Sequence, residues 1–230
     1  MVYELARQWW QEVREFKYSA VATALLLFAL LAFGVWTAHG WYVASREEKA
    51  QAALSEAFQE YDEALGMMMS DKNSDDVIKQ RLEDAHLSFD VMSRNHGGSY
   101  LAAYAQAFEG DVYWYEGKKE EAIASLEKAV RGASKSPVVY LLKTKLALMR
   151  IDAGQEQQGL TELQALAQDK HNPNADAAAY NLGYYYWVAR DETKAREAWQ
   201  LLEQYKGDNG MQRSVSPYLD LAQMKLSFIS

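Results

Sequence analysis

Between Glu109 and Val130 the chain reads EGDVYWYEGKKEEAIASLEKAV, and the order of small and bulky residues there decides the fold. Gly110 and Ala122 are small enough to let two antiparallel helices approach closely, and Gly117 falls in the turn between them. Tyr113, Leu126 and Ala129 then fill the seam. The order returns 37 residues on as Ala147, Arg150, Gly154, Gly159, Leu163 and Leu166, within KLALMRIDAGQEQQGLTELQAL. It returns 36 residues later again as Gly183, Tyr186, Arg190, Ala195, Trp199 and Leu202, within NLGYYYWVARDETKAREAWQLL. Small residues hold both close-approach positions in all three segments; the packing positions are apolar, with Arg150 as the exception. Ser136-Pro137 and Asn172-Pro173 punctuate the ends of units, because the residue before a proline is driven out of the helical region.

A helix pair recurring at this interval resembles the tetratricopeptide pattern, and periods slightly above its usual ~34 residues place the surplus in the connecting turns. Counting back 37 residues from the first unit puts Ala85, Phe89 and Met92 at the second-helix positions of an earlier, divergent unit, DVIKQRLEDAHLSFDVMSRN. Its first helix is Arg46–Leu65, and the connection Gly66–Asp75, with Met67–Met69, is too irregular for a standard repeat turn. The methionines either fill a gap under that connection or offer a hydrophobic contact to a client. The segment SPYLDLAQMKLSFIS opens with a helix-entry signal at Ser216-Pro217 and reads as a closing helix over the apolar face of the last repeat.

Upstream of the repeats, YSAVATALLLFALLAFGVWTAHGWYVAS (residues 18–45) contains no charge, and Ala20–Ala38 alone approaches the ~20 residues that cross a hydrocarbon core as a helix. Trp9, Trp10 and Tyr18 stand at one end and Trp36 and Trp41 at the other, the arrangement of an aromatic belt. The run exceeds a signal-peptide core, and bulky Trp41 and Tyr42 occupy the place of small cleavage-site residues, so retention as an anchor is expected. Residues 1–17 form an amphipathic stretch with Val2, Leu5, Trp9, Val13 and Phe16 at helical spacing. Three basic residues precede the span and Arg46 and Lys49 follow it, which tips the positive-inside balance slightly toward a cytoplasmic N-terminus and an outer, periplasmic soluble domain.

The 230 residues thus divide into an N-terminal segment (1–17), a transmembrane helix (18–45), a divergent first helix pair (46–98), three repeats (99–215) and a capping helix (216–230). The fold class is all-α, a single membrane helix followed by a tetratricopeptide-like solenoid. The 24 basic and 32 acidic residues leave a net charge of −8, all of it after Ser45, since the charges of 1–17 cancel. Such a domain repels phosphate backbones, which argues against a nucleic-acid partner. The absence of cysteine removes disulfides, zinc–thiolate sites, thiol nucleophiles and lipid attachment through sulfur.

In stacked helix pairs the first helix of each unit lines the concave side. The repeat register puts Tyr104, Ala107, Asp111, Trp114 and Tyr115 there from the first unit. The second contributes Leu141, Thr144, Leu148, Ile151 and Asp152, and the third Ala177, Tyr180, Tyr184, Trp187 and Val188. Tyr104, Asp111, Trp114, Tyr115, Leu148, Ile151, Tyr180, Tyr184 and Trp187 are therefore the candidate protein-binding residues. Their rings are either structural fillers or rigid anchors for an extended polypeptide, and the chain's own C-terminal segment is an alternative occupant.

The order of parts, the KAREAW segment (Lys194–Trp199) and the terminal QMKLSFIS resemble the YfgM-like family of ancillary subunits of the bacterial SecYEG translocon. That resemblance implies a single-pass inner-membrane protein with periplasmic repeats. It further implies SecYEG, a PpiD-type membrane-anchored chaperone and newly exported polypeptides as partners. Scaffolding of another envelope assembly or secretion machine is the alternative function. His39, His86, His96 and His171 are scattered without metal-ligand spacing, and no glycine loop suits a phosphate. No enzyme activity, metal, cofactor or small-molecule substrate is expected.

Overall fold

The chain's three prolines stand at 137, 173 and 217, each at or just before the start of a helix, where a missing N–H disrupts nothing. The computed structural model describes residues 2–70, 75–97, 99–205 and 216–228; the side chains of 2, 5–6, 8–9, 11–24 and 205 lie outside that description. The elements are α1 (Val2–Met68), α2 (Asp75–Asn95), α3 (Leu101–Tyr115), α4 (Lys119–Gly132), α5 (Val138–Asp152), α6 (Glu156–Gln168), α7 (Ala175–Val188), α8 (Glu192–Gln200), a 3-10 turn (Leu201–Tyr205) and α9 (Pro217–Leu226). No strand occurs among the described residues. The chain divides into two compact units, Met1–Lys49 and Ala50–Ser230.

In the first unit, α1 is long and apolar enough from Leu25 onward to cross a bilayer. Its side chains from Leu25 to Ala44 are exposed, Trp36 and Trp41 among them, as is Trp10 nearer the N-terminus. Apolar surface displayed this way has no protein partner among the described residues. The hydroxyl of Thr37 donates 3.0 Å bonds to the carbonyls of Phe33 and Gly34, so the polar group is satisfied within the helix. The side chains of Trp9 and Tyr18, and the apolar stripe at 2, 5, 9, 13 and 16, lie outside the described residues.

The second unit is a stack of antiparallel helix pairs. Each of α3–α4, α5–α6 and α7–α8 forms a pair, and α2 on α3, α4 on α5 and α6 on α7 join successive pairs. The end of α1 supplies Ala50, Ala57, Tyr61 and Ala64 to a core shared with Leu82, Ala85, Phe89 and Met92 of α2. Serines lead into two of the helices: Ser99, one residue before the N-cap of α3, accepts from the Leu101 N–H at 3.1 Å, and Ser216, the N-cap of α9, accepts from the Tyr218 N–H at 3.2 Å.

The turn inside each pair repeats. Gly117 (φ 76°), Gly154 (φ 90°) and Arg190 (φ 63°) occupy the left-handed region at the same point of the three units. Behind each, an N–H reaches back to the seam residue: Lys118 to Tyr113 at 2.9 Å, Gln155 to Arg150 at 2.8 Å and Asp191 to Tyr186 at 2.9 Å. This is the Schellman closure, which satisfies the last carbonyls of a helix and needs one residue with positive φ. Glycine supplies it twice; the third unit uses an arginine at some strain.

The small residues sit where the helices touch. A Cβ on Gly110 would stand 3.1 Å from the Ala122 carbonyl oxygen, and one on Gly159 would stand 2.5 Å from that of Ala147. In the third unit the close contact moves by a turn. A Cβ on Gly183 would lie 2.4 Å from the indole of Trp199, whose N–H donates to the Tyr180 carbonyl at 3.1 Å. Ala195 is fully buried, but the larger Trp199 ring takes the space that Gly183 leaves open.

Candidate functional site

The aromatic first-helix residues gather into separate groups. Near the start of the stack, Phe58, Tyr61, Phe89 and Phe108 form one ring cluster, with Phe58 edge-on to Phe108 at 5.1 Å and Phe89 stacked on it at 5.5 Å. Tyr115 joins at its rim, 6.4 Å from Tyr61, and is half exposed. Asp111 accepts from Lys145 Nζ of the next unit at 2.5 Å, and the same ammonium stands 5.7 Å from the Phe108 ring centre. Burial pushes the Asp111 carboxyl up while Lys145 pulls it back. Burial likewise raises the Tyr61 hydroxyl, with Asp111 and Tyr115 adding to it. This polar bridge fastens α3 to α5 at the edge of an aromatic core.

Midway along the stack the candidates are less open. Leu148 and Ile151 pack against buried Ala147, Leu163, Leu182 and Ala198, and Trp114 lies half-buried on the α4–α5 core with Lys119 Nζ 5.3 Å from its ring centre. Tyr104 is half-buried.

At the far end, α7, α8 and α9 build a second ring group. Tyr180 stacks on Tyr184 at 6.3 Å, on Trp199 at 6.3 Å and on Tyr218 of α9 at 5.2 Å. Tyr184 meets Trp187 at 5.9 Å, and Lys225 Nζ stands 4.2 Å from the Trp187 ring centre and 4.9 Å from that of Tyr184. The chain's own terminal helix therefore covers part of this face. Tyr184 stays 43 % exposed, and Val188 is open beside it.

Four features escape a reading by repeat register: Lys145 on Asp111, Lys225 on the rings, Tyr218 on Tyr180, and an ion triad around buried Arg150. In the triad Arg150 pairs with Glu127 of α4 at 2.5 Å and with Glu162 of α6. It lies on a cavity of about 370 Å³ with Val130, Leu146, Leu166, Lys143 and Asp169 on its walls. Arg150 occupies the seam position that is tyrosine in the other two units; it is buried, and its guanidinium joins α5 to α4 and α6. The signal for Lys225 is in the sequence. Ser136-Pro137, Leu141 and Lys145-Leu146 align without a gap on Ser216-Pro217, Leu221 and Lys225-Leu226.

No family model matches the chain, and no curated protein matches it. Among solved structures it is similar to a Podosopora anserina protein assigned as a kinesin light chain with nearly identical TPR-like repeats. The TM-score is 0.47 at 18 % identity, covering 76 % of this chain and 85 % of that one. The tetratricopeptide-like character of the stack rests on its own helix pairing, turns and close contacts. Among the described residues no group of three or more His, Asp or Glu side chains could hold a metal ion.

Proposed function

We propose that this chain is a single-pass membrane protein whose helical stack binds polypeptide on the aromatic face of its first helices, with residues 18–45 as the anchor. The carrying observation is the Tyr180–Tyr184–Trp187 group, open on one side and rigid in its stacking, a surface that grips side chains with little loss of conformational entropy. A solenoid of helix pairs offers such faces without catalytic groups. Tyr115, with Tyr61 behind it, extends the binding face toward the membrane-anchored end of the sequence.

The finer reading follows the resemblance to the YfgM-like family. The N-terminus is cytoplasmic, the repeats periplasmic, and the protein assists exported polypeptides at the SecYEG translocon beside a PpiD-type chaperone. Photo-crosslinkers placed at Trp36 and at Tyr184 in cells test it. Trp36 should capture translocon subunits, and Tyr184 should capture exported chains or the chaperone. Capture confined to another envelope machine would replace this reading with a scaffold of that machine. Protease added outside spheroplasts should digest the repeats; protected repeats would reverse the orientation.

A further inference from the structure

We infer that Tyr184 and Trp187 form a clamp for a lysine or arginine carried on an apolar segment of a partner polypeptide, and that Lys225 of α9 holds the clamp when no partner is bound. The inference rests on the binding face proposed above and names the chemistry of what that face selects. An ammonium 4.2 Å and 4.9 Å from two ring centres is inside the range where the ring quadrupole attracts it. The acidic chain, net −8, adds a long-range preference for basic segments over acidic ones.

A comparison within the chain shows why this occupant can exchange. Lys145 and Lys225 fall at the same place in the aligned segments that begin Ser136-Pro137 and Ser216-Pro217. Lys145 is held by a carboxylate, Asp111, at 2.5 Å. Lys225 has no carboxylate within ion-pair distance among the described residues and is held by rings alone. The two halves of α9 are also held differently. Its beginning is fixed: Ser216, Leu219 and Ala222 are buried, and the Ser216 hydroxyl donates to Asp176 at 2.7 Å. Its end is held more lightly, by Lys225 on the rings and half-buried Leu226 on the core, with Met224 and Phe228 exposed. Release of the last turn gives up the Leu226 contact and frees both rings, while Leu219 and Ala222 go on covering Trp199 and Leu202. A partner segment of the pattern apolar–Lys–apolar can thus replace Lys225 without unfolding the end of the stack.

The test uses the full chain in detergent micelles and a fluorescent synthetic copy of 221–228 (LAQMKLSF), with a second peptide carrying glutamine for the lysine. Lys225→Gln should raise the affinity for the lysine peptide about fivefold by anisotropy and leave the glutamine peptide unchanged. Adding Tyr184→Ala should erase that gain; Tyr184 is partly exposed, so the variant folds, which far-UV circular dichroism checks. Equal affinities for wild type and Lys225→Gln would overturn the clamp, as would a gain that survives Tyr184→Ala or one seen equally with the glutamine peptide. Crosslinks from Tyr184 to exported chains, together with peptide affinities that ignore Lys225, would sink the clamp and leave the binding face standing. Peptide affinities that respond as expected while Tyr184 captures no exported chain in cells would keep the clamp and sink the reading of exported chains as its partners.

Discussion

Gly159→Ala measures whether the close approach of α5 and α6 is a structural requirement. Alanine is the better helix former by about 1 kcal/mol, so on propensity alone the variant gains stability. Geometry opposes it. The new methyl would lie 2.5 Å from the Ala147 carbonyl oxygen, 2.6 Å from Ile151 Cγ1 and 3.2 Å from the Ile151 nitrogen. Two of these are backbone atoms, which no rotamer change can move, so the helices must part. Leu163 and Ala147, both fully buried in that seam, then lose contact on one side. Overpacking of this kind costs roughly 1–3 kcal/mol, with a backbone clash at the upper end, which leaves a net loss of about 2 kcal/mol. The two other units grade the effect. At Gly110 the nearest atom is 3.1 Å away, so the strain roughly cancels the helical gain and Gly110→Ala should be close to neutral. At Gly183 the obstacle is the buried, hydrogen-bonded Trp199 ring at 2.4 Å, and the loss should be about 3 kcal/mol. Urea unfolding of the full chain in detergent, followed by circular dichroism, should show midpoints falling in the order Gly110→Ala, Gly159→Ala, Gly183→Ala. The middle variant should lie about 1 M below wild type. A Gly159→Ala protein as stable as wild type, or three equal losses, would refute the close-approach argument.

Arg190→Gly should stabilise the chain by about 0.5–1 kcal/mol, because glycine relieves the left-handed strain that Gly117 and Gly154 avoid, less the entropy it adds to the unfolded state. A thermal midpoint raised by about 2 °C checks this, and a lowered midpoint would mean that the Arg190 side chain holds the turn. Glu127→Gln or Glu162→Gln alone should cost under about 1 kcal/mol, since each carboxylate is about a third exposed and the other still neutralises Arg150. The double variant leaves a buried guanidinium without an anion and should cost about 2 kcal/mol or more, beyond the sum of the singles. Strict additivity in a double-mutant cycle would show that the three side chains do not act as a unit.

How much of this was legible in the sequence depends on how local the deciding interaction is. The helix pairs, their turns and their close contacts follow from the alternation of small and bulky residues within about twenty positions, so Gly110, Ala122, Gly117 and their equivalents mark the architecture directly. Arg150 looks like a misfit at a seam position because its partners come from two other helices; only the stack shows Glu127 and Glu162 converging on it. Trp199 illustrates the limit of register itself. It occupies a position that leucine holds in the other units, but a ring that size claims the gap at Gly183, and the closest contact shifts a turn away from Ala195.

The same logic separates the candidate site residues. Register assigns a side chain to the first-helix face, but exposure depends on what the next unit brings against it. Next to Tyr115 the neighbouring unit brings Lys145 and an ion pair with Asp111, which leaves the tyrosine at the rim. Leu148 and Ile151 meet the core of Leu163, Leu182 and Ala198, which leaves both half-buried. Beyond its own unit the group on α7 meets α9, a single helix whose last turn rests on it through the Lys225 ammonium and on the core through half-buried Leu226. Where two layers of helix and a carboxylate hold the face, it is structure; where the last turn of one short helix holds the outer rings by a cation–π contact and one half-buried leucine, a competing segment needs to match only those contacts. On the proposed reading, the aromatic face on α7 is therefore where a partner would enter at the smallest energetic cost.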